Sequence, residues 1–141
     1  MSEEIRTRVR EFYDEVVNAG DIDRVDEFCT EDFVEHEEFP GTGPGREGVK
    51  QFFRTVRGAF PDFRIDVEDV IVEGDKVAVR MRMSGTQEAE FMGVPATGKR
   101  IDVAGIDILR MVGDRAAEHW GVSDTMAMMQ QLGAIPAQTP A

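Results

Sequence analysis

The chain has 141 residues, of which 41% are hydrophobic and 31% are charged, a mixture typical of one globular domain rather than of a disordered segment. Twenty-eight acidic against 16 basic residues give a net charge of −12, and so negative a surface repels phosphate backbones and anionic lipids, which argues against nucleic-acid or membrane binding. No apolar run approaches the ~18 residues of a membrane span, and the N-terminal residues lack the pattern of a secretory signal, so we expect a cytoplasmic protein.

The first 60 residues are patterned as helices. Apolar residues at three-to-four spacing predict an amphipathic helix over 3–18 and another over 46–59. A short helix ending near Cys29 is predicted between them, and residues 33–38 suit a short strand or turn. Pro61 prevents the second long helix from continuing.

After Pro61 the apolar period changes from 3.6 to 2, which indicates strands. Gly113-Asp114 is a hairpin turn, and a final helix over 124–132, which Asp124 can cap, ends at Gly133. Strands are predicted over residues 63–68, 77–83, 86–91, 100–112 and 116–123.

Helices followed by an antiparallel meander, without βαβ alternation, predict an α+β fold. We expect a single domain over residues 1–136 and a frayed tail over residues 137–141.

Three stretches of the sequence resemble a known family. They are residues 90–100 (EFMGVPATGKR), residues 105–110 (GIDILR), and residues 118–124 (EHWGVSD) followed by Gln131-Leu132-Gly133. Together they resemble the SnoaL-like polyketide cyclases, whose uncharacterised members are often called ester cyclases, in the nuclear-transport-factor-2-like superfamily. The likeness covers nearly the whole chain, since Ala59-Phe60-Pro61-Asp62 and the early helices also fit.

The resemblance implies a fold and a type of chemistry. The fold is a cone, in which a strongly curved antiparallel sheet is closed by N-terminal helices around a central pocket, often in dimers that pack sheet against sheet. The named cyclases close a ring of an aromatic polyketide by intramolecular aldol condensation, without metal or organic cofactor, and relatives use the cavity for other acid–base reactions. We therefore expect a cofactor-free acid–base enzyme acting on a small hydrophobic carbonyl compound, by aldol cyclisation or isomerisation.

Asp107 and His119 are the first candidate catalytic residues. Alternation places Asp107 on one strand face with Leu109 and Met111, and His119 on one face of the next strand with Gly121. The short hairpin sets residue 107 opposite roughly 119 or 120, so the two side chains are expected to be neighbours. A carboxylate beside a histidine fixes the tautomer and stabilises the imidazolium, which predicts His119 as general base and Asp107 as its orienting partner.

One position departs from the cyclase pattern. In the resembling cyclases an acid two residues after the histidine is the acid–base catalyst, whereas this chain has Gly121, which cannot transfer a proton. This leaves open an alternative, a non-catalytic binding protein for an apolar or aromatic metabolite. A dimerisation scaffold is a third interpretation, although it does not explain buried Asp107 and His119.

Tyr13 and His36 are candidates for stabilising negative charge on a substrate oxygen. Tyr13 lies on the core side of the first helix, where a buried phenol can donate to an enolate oxygen or serve only as a packing residue. His36 follows Phe33 and Val34 near the expected mouth of the cone, but acidic neighbours make a solvated loop histidine equally compatible.

The remaining predictions concern the pocket wall and the partners. A lid formed by residues 91–95 is one interpretation of that loop, and a rigid surface loop is another. Two histidines far apart in sequence give no metal-ligand spacing, so no metal is predicted. Trp120 faces away from His119 and would belong to a homodimer interface on the outer sheet face. We expect five residues to line the pocket, namely Phe52, Met92, Val103, Leu109 and Met111.

Overall fold

The computed structural model describes residues 2–37 and 39–136, so the predicted frayed tail, residues 137–141, lies outside the described residues. Helix α1 continues without a break into a seven-residue π-helical segment, and a short 3₁₀ turn leads into α2. The helical bounds are Ser2–Glu11 for α1, Phe12–Asn18 for the π segment, Ile22–Arg24 for the 3₁₀ turn, Val25–Phe28 for α2, Gly45–Ala59 for α3 and Thr125–Leu132 for α4.

Five strands form one sheet in the order β1-β5-β4-β3-β2. All neighbours are antiparallel except β1 and β5, which run parallel. The sheet is thus antiparallel, as expected, except at the seam where the first strand pairs with the last. The strand bounds are Cys29–Glu35 for β1, Arg64–Glu73 for β2, Lys76–Thr86 for β3, Arg100–Val112 for β4 and Arg115–Ser123 for β5.

A separate strand over 86–91 is not formed. Thr86 ends β3, and the chain then enters a loop in which the only isolated β-bridge among the described residues joins Phe91 and Val94. The buried Gln87 side chain supports this loop, because it donates to the Val94 carbonyl at 2.9 Å and accepts from the Thr97 hydroxyl at 2.7 Å. Because Gln87 is bonded within the loop, residues 87–91 do not form the alternating strand that was predicted.

The helices cover one face of the sheet, with the π segment against β2 and α3 against β1. Asn18, the last residue of the π segment, pairs with the backbone of Ile65 as a strand would: its Nδ2 donates to the Ile65 carbonyl at 2.8 Å, and its Oδ1 accepts from the Ile65 amide at 2.7 Å. Since β2 is an edge strand, this contact satisfies groups that would otherwise face solvent.

The last helix closes the fold against β4. Its ends follow the sequence signals, because Asp124 accepts a hydrogen bond from the Ala127 amide at 3.0 Å and Gly133 adopts a left-handed φ of 78°. No helix formed by the described residues is long and apolar enough to cross a membrane. The molecule is an α+β fold built on a curved, open five-stranded sheet, as the sequence predicts.

Candidate active site

The helices and the inner face of the sheet enclose a cavity of about 110 Å³. Because roughly 10–15 Å³ of such volume accommodates one water-sized group, the space holds roughly seven to eleven such groups, about the size of one substituted aromatic ring. Most of the wall is apolar, with the side chains Val9, Phe12, Val49, Phe52 and Phe53 from the helices and Ile65, Met81, Met83, Leu109 and Met111 from the strands.

A chain of hydrogen bonds crosses one side of this apolar cavity. The Tyr13 hydroxyl donates to Oδ2 of Asp107 at 2.6 Å, and Oδ1 of the same carboxylate lies 2.7 Å from Nε2 of His119. On the other side of the imidazole, Nδ1 lies 2.5 Å from Oε1 of Glu35. Four elements, the π segment, β4, β5 and β1, thus contribute one side chain each to a continuous polar chain.

A β-bulge sets the position of His119. A regular ladder continued from the Val112–Arg115 pair would place His119 opposite Ile108, on the sheet face away from Asp107. Ala117 is instead an extra residue in β5, so that His119 pairs with Leu109 and Asp107 pairs with Gly121. Residue 107 is therefore opposite 121, not 119 or 120 as the hairpin count suggested, and the contact between Asp107 and His119 is diagonal.

Tyr13 reaches Asp107 from the π-helical part of the first helix. Its side chain is 2% exposed, and its ring packs edge-on against Phe12 at a centroid distance of 5.4 Å. Burial, and then the negative charge of Asp107, raise the pKa of Tyr13 well above its usual value. The phenol therefore keeps its proton and acts as a hydrogen-bond donor.

His119 is held as a cation. Burial alone would lower its pKa, but the hydrogen bonds and charges of Asp107 and Glu35 outweigh burial and raise the pKa to about 10. At neutral pH both ring nitrogens consequently carry protons, and each donates to a carboxylate. An imidazolium cannot accept a proton, which conflicts with the expected role of His119 as general base.

Glu35 and Glu37 are the functional candidates that the sequence reasoning missed. It treated both as solvated neighbours of His36, whereas the structure places them in the cavity wall with Phe33. Residues 33, 35 and 37 lie on the inner side, while Val34 and His36 lie on the outer side. Strand alternation continued from Phe33 was the signal that could have found the two glutamates.

Glu37 differs from the other acids of the cluster because its carboxyl accepts no hydrogen bond from any described residue. Only its backbone amide is engaged, donating to Oε1 of Glu35 at 2.9 Å. Burial raises the pKa of Glu37 to about 7; the positive charge of His119 opposes this shift, and the negative charges of Asp107 and Glu35 add to it. Both protonation states of Glu37 are thus populated near neutral pH.

His36 does not reach the cavity. Its ring stacks on Trp120 at a centroid distance of 4.7 Å, and its Nε2 lies 3.1 Å from Oε1 of Glu118. Because Trp120 and Glu118 project from the outer face of β5, His36 cannot stabilise charge on a ligand inside the cone. His36 is therefore not a second pocket histidine, because alternation continued from Phe33 and Glu35 turns its side chain to the outer face.

Three of the five residues expected in the wall, Phe52, Leu109 and Met111, line the cavity, and Met92 and Val103 do not. Val103 is 4% exposed and packs in the core with the sheet. Met92 has a φ of 50° in a tight turn with Gly93, which directs its side chain outward, where it is 43% exposed. None of residues 91–95, all of which the structure describes, lines the cavity, so the lid interpretation is not supported.

The cluster also has the residue types of a cation site. Ligand atoms of Glu37, Asp107 and His119 all lie within 4.8 Å of one another, although the sequence predicted no metal. A divalent cation would need the Nε2 atom that His119 uses in its hydrogen bond to Asp107. Metal binding would therefore have to displace both that contact and the Nε2 proton.

Comparison with known families agrees with this architecture. The family description "SnoaL-like polyketide cyclase" matches residues 7–132 of the chain. The chain belongs to the SnoaL-like polyketide cyclase family. No sequence match is found among proteins with curated functions.

Solved structures of SnoaL-like and related proteins are similar over nearly the whole chain. TsrD from Streptomyces laurentii has 29% identity and a TM-score of 0.86, over 94% of this chain and 97% of that one. IdmH from Streptomyces antibioticus, described as a candidate polyketide cyclase, has 34% identity and a TM-score of 0.79, over 92% and 98%. AclR from Streptomyces galilaeus, described as a candidate hydroxylase, has 26% identity and a TM-score of 0.83, over 97% and 85%.

Proposed function

We propose that this SnoaL-like protein is a cofactor-independent enzyme that moves a proton on a small hydrophobic carbonyl compound, in a reaction of the aldol-cyclisation or isomerisation type. The observation that supports this most directly is the hydrogen-bonded chain of Tyr13, Asp107, His119 and Glu35 in an otherwise apolar cavity. Burying several charges in an apolar wall costs stability, and perturbed titratable groups in a cleft are typical of sites of chemistry.

The charge state of the cluster supports a division of roles. Tyr13 and His119 are hydrogen-bond donors at neutral pH. In this proposal the substrate carbonyl replaces a carboxylate as the acceptor of one of their hydrogen bonds, and the donor then stabilises the oxyanion that forms. A carboxylate of the cluster, rather than the imidazole, accepts the proton from the carbon next to that carbonyl. Proton transfer by a positioned group of this kind contributes roughly 10²–10⁴-fold to a rate.

The family supports a cyclase-type role. Membership of the SnoaL-like polyketide cyclases, and the similarity to IdmH, favour a carbonyl substrate for this chain. The cavity volume favours a compact apolar molecule, or one ring of a larger molecule.

One observation favours a second candidate, a non-catalytic binding protein for an apolar or aromatic metabolite. The donors of Tyr13 and His119 are already bound to carboxylates of the chain itself, so the polar chain is satisfied without a ligand. Gly121 also lacks the acid that the resemblance to the cyclases implies.

Deuterium uptake distinguishes the two candidates. We expect the protein to exchange the methyl protons of acetophenone, a small aromatic ketone, for deuterium in D₂O buffer, as followed by proton NMR. Asp107→Asn should slow this exchange by about 100-fold, because it removes the negative charge that keeps His119 an imidazolium and one of the two oxygens that orient His119 and Tyr13. Asp102→Asn on the outer side of the same strand is the matched control and should exchange at the parent rate.

The contrary results are equally specific. Acetophenone that binds, as seen by shifted methionine methyl signals, but exchanges no faster than in buffer would overturn the enzymatic proposal in favour of the binding protein. Circular dichroism of each variant separates loss of chemistry from loss of fold.

A further inference from the structure

The space beside Gly121 is the unusual feature of the cluster. A Cβ atom built on residue 121 would lie 2.7 Å from Oδ1 of Asp107, 2.9 Å from Oε1 of Glu37 and 2.9 Å from Cε1 of His119. Gly121 lies within β5 and does not have a positive φ. Its backbone therefore does not require glycine, and what the missing side chain provides is room for these three groups.

The carboxyl of Glu37 is the group in that space with free capacity. Asp107 already accepts at both oxygens, and Oε1 of Glu35 accepts from both His119 and the Glu37 amide. By contrast, no described residue donates to the Glu37 carboxyl, which lines the cavity beside the imidazolium. A ligand in the cavity thus meets a carboxyl group whose lone pairs are not committed to the protein.

We propose that Glu37 is the catalytic residue that takes the proton from the substrate and returns it, in the space left open by Gly121. This inference rests on the proposed function and deepens it. The Glu37 carboxylate accepts the proton from the carbon next to the carbonyl, the C–H electron pair forms a carbon–carbon double bond, and the carbonyl oxygen becomes an enolate. The neutral acid then returns the proton to carbon in an isomerisation, or to the new alkoxide after C–C bond formation in an aldol reaction, which restores the enzyme.

The titration of Glu37 is suited to this role. A pKa raised to about 7 by burial makes its carboxylate a stronger base than an ordinary glutamate and keeps its acid form accessible. The base form is the ionised one, so activity limited by proton abstraction rises with pH and levels off above about 7. The imidazolium of His119, with a pKa of about 10, remains charged across that range.

A probe that needs only a base tests Glu37 apart from the rest of the site. A base removes the carbon-bound proton of the isoxazole ring of 5-nitrobenzisoxazole, the N–O bond breaks, and a coloured cyanophenolate forms, with no enolate to stabilise. We expect the parent protein to accelerate this opening with an inflection near pH 7, and Glu37→Gln to be slower by about 100-fold or more with the inflection lost. Glu31→Gln, an exposed acid on β1, is the matched control and should match the parent.

Moving the carboxyl across the cluster tests the geometry. Glu37→Ala empties the space, and the double variant Glu37→Ala with Gly121→Asp supplies an acid to it from the opposite strand. We expect the double variant to be faster than Glu37→Ala on the benzisoxazole, although slower than the parent, because the new Cβ still crowds Asp107 and His119. Gly121→Ala alone should lower the rate, because its methyl group displaces Asp107, Glu37 and His119 from their present positions.

The two proposals fail in different ways. Glu37→Gln retaining the parent rate and pH profile on the benzisoxazole, or a parent protein with no such activity, overturns the role of Glu37. If acetophenone exchange is nevertheless present and depends on Asp107, the proposed function stands. A Glu37-dependent benzisoxazole reaction without acetophenone exchange overturns the carbonyl chemistry and keeps Glu37 as the base.

Discussion

At the scale of single residues, the charge of His119 determines what the cluster can do. Asp107 and Glu35 hold the imidazole as a cation, and the raised pKa links protonation to stability. The stabilisation is fully present below the ordinary value of about 6.5 and is lost as pH rises through about 10. The raised pKa of Glu37 acts in the same direction between its ordinary value of 4.5 and about 7, because the folded form again binds more protons than the unfolded form.

Removing one carboxylate should expose this coupling. In Asp107→Asn we expect the pKa of His119 to fall by about 1 to 3, since an ionic partner within hydrogen-bond distance is lost. Proton NMR of the imidazole signals measures it directly. The ring of His36 contacts Glu118 on the outer face, so its signals should have the same chemical shifts in both proteins at any one pH. An unchanged His119 titration would show that the pair does not exist in solution.

The sequence predicted part of the site, Asp107 and His119, but not the two glutamates, Glu35 and Glu37. The family motifs and the alternation around Asp107 were enough to predict the fold and to bring attention to Asp107 and His119. The glutamates were missed because charged residues around His36 suggested solvent, although Phe33 gave the phase of the strand. A buried acid can be predicted from sequence only if the alternation of inward and outward residues is continued beyond the first polar residue of the strand.

At the scale of elements, the contact between the first helix and β2 positions Tyr13 over Asp107. Asn18 joins the π segment to both backbone groups of Ile65. Helical spacing predicted the helix, but no propensity rule predicts a π segment or the bulge at Ala117. Both depend on tertiary packing, because each inserts one extra residue to turn a side chain toward the cavity.

Truncating Asn18 should loosen this junction. Asn18→Ala leaves the amide and carbonyl of Ile65 without their partner, and we expect it to lower the free energy of unfolding by about 1–3 kcal/mol. Urea denaturation measures the change. Asn18→Asp places a carboxylate oxygen where Nδ2 now donates to the Ile65 carbonyl, so it should also destabilise the fold. An unchanged free energy of unfolding in Asn18→Ala would contradict the pairing described here.

At the scale of the whole molecule, the outer face of the sheet carries an apolar area. Ile106 pairs with Val122 and Ile108 pairs with Trp120 across β4 and β5, and Ile106 and Val122 are 47% and 70% exposed. Exposed apolar areas of this kind mark interaction surfaces. The homodimer through this face remains a prediction.

Charges placed in the middle of that face test the dimer. We expect the parent protein to elute as a dimer in size-exclusion chromatography with light scattering. Ile108→Lys should raise the dissociation constant of the dimer by about 100-fold, because an unpaired ammonium would be buried in the interface. Met126→Lys, which charges an equally apolar but separate position on α4, should leave the mass unchanged. A monomeric parent protein would remove the basis for this interface.

The parallel seam between β1 and β5 has a consequence for how the chain is made. β1 is complete at Glu35, and the strand that pairs with it begins at Arg115, about 80 residues later. During synthesis β1 therefore cannot pair with β5 until residues 115–123 have been made, and such distant pairing slows folding. Glu35 and His119 face each other across this seam, so their contact cannot form before β5 pairs with β1.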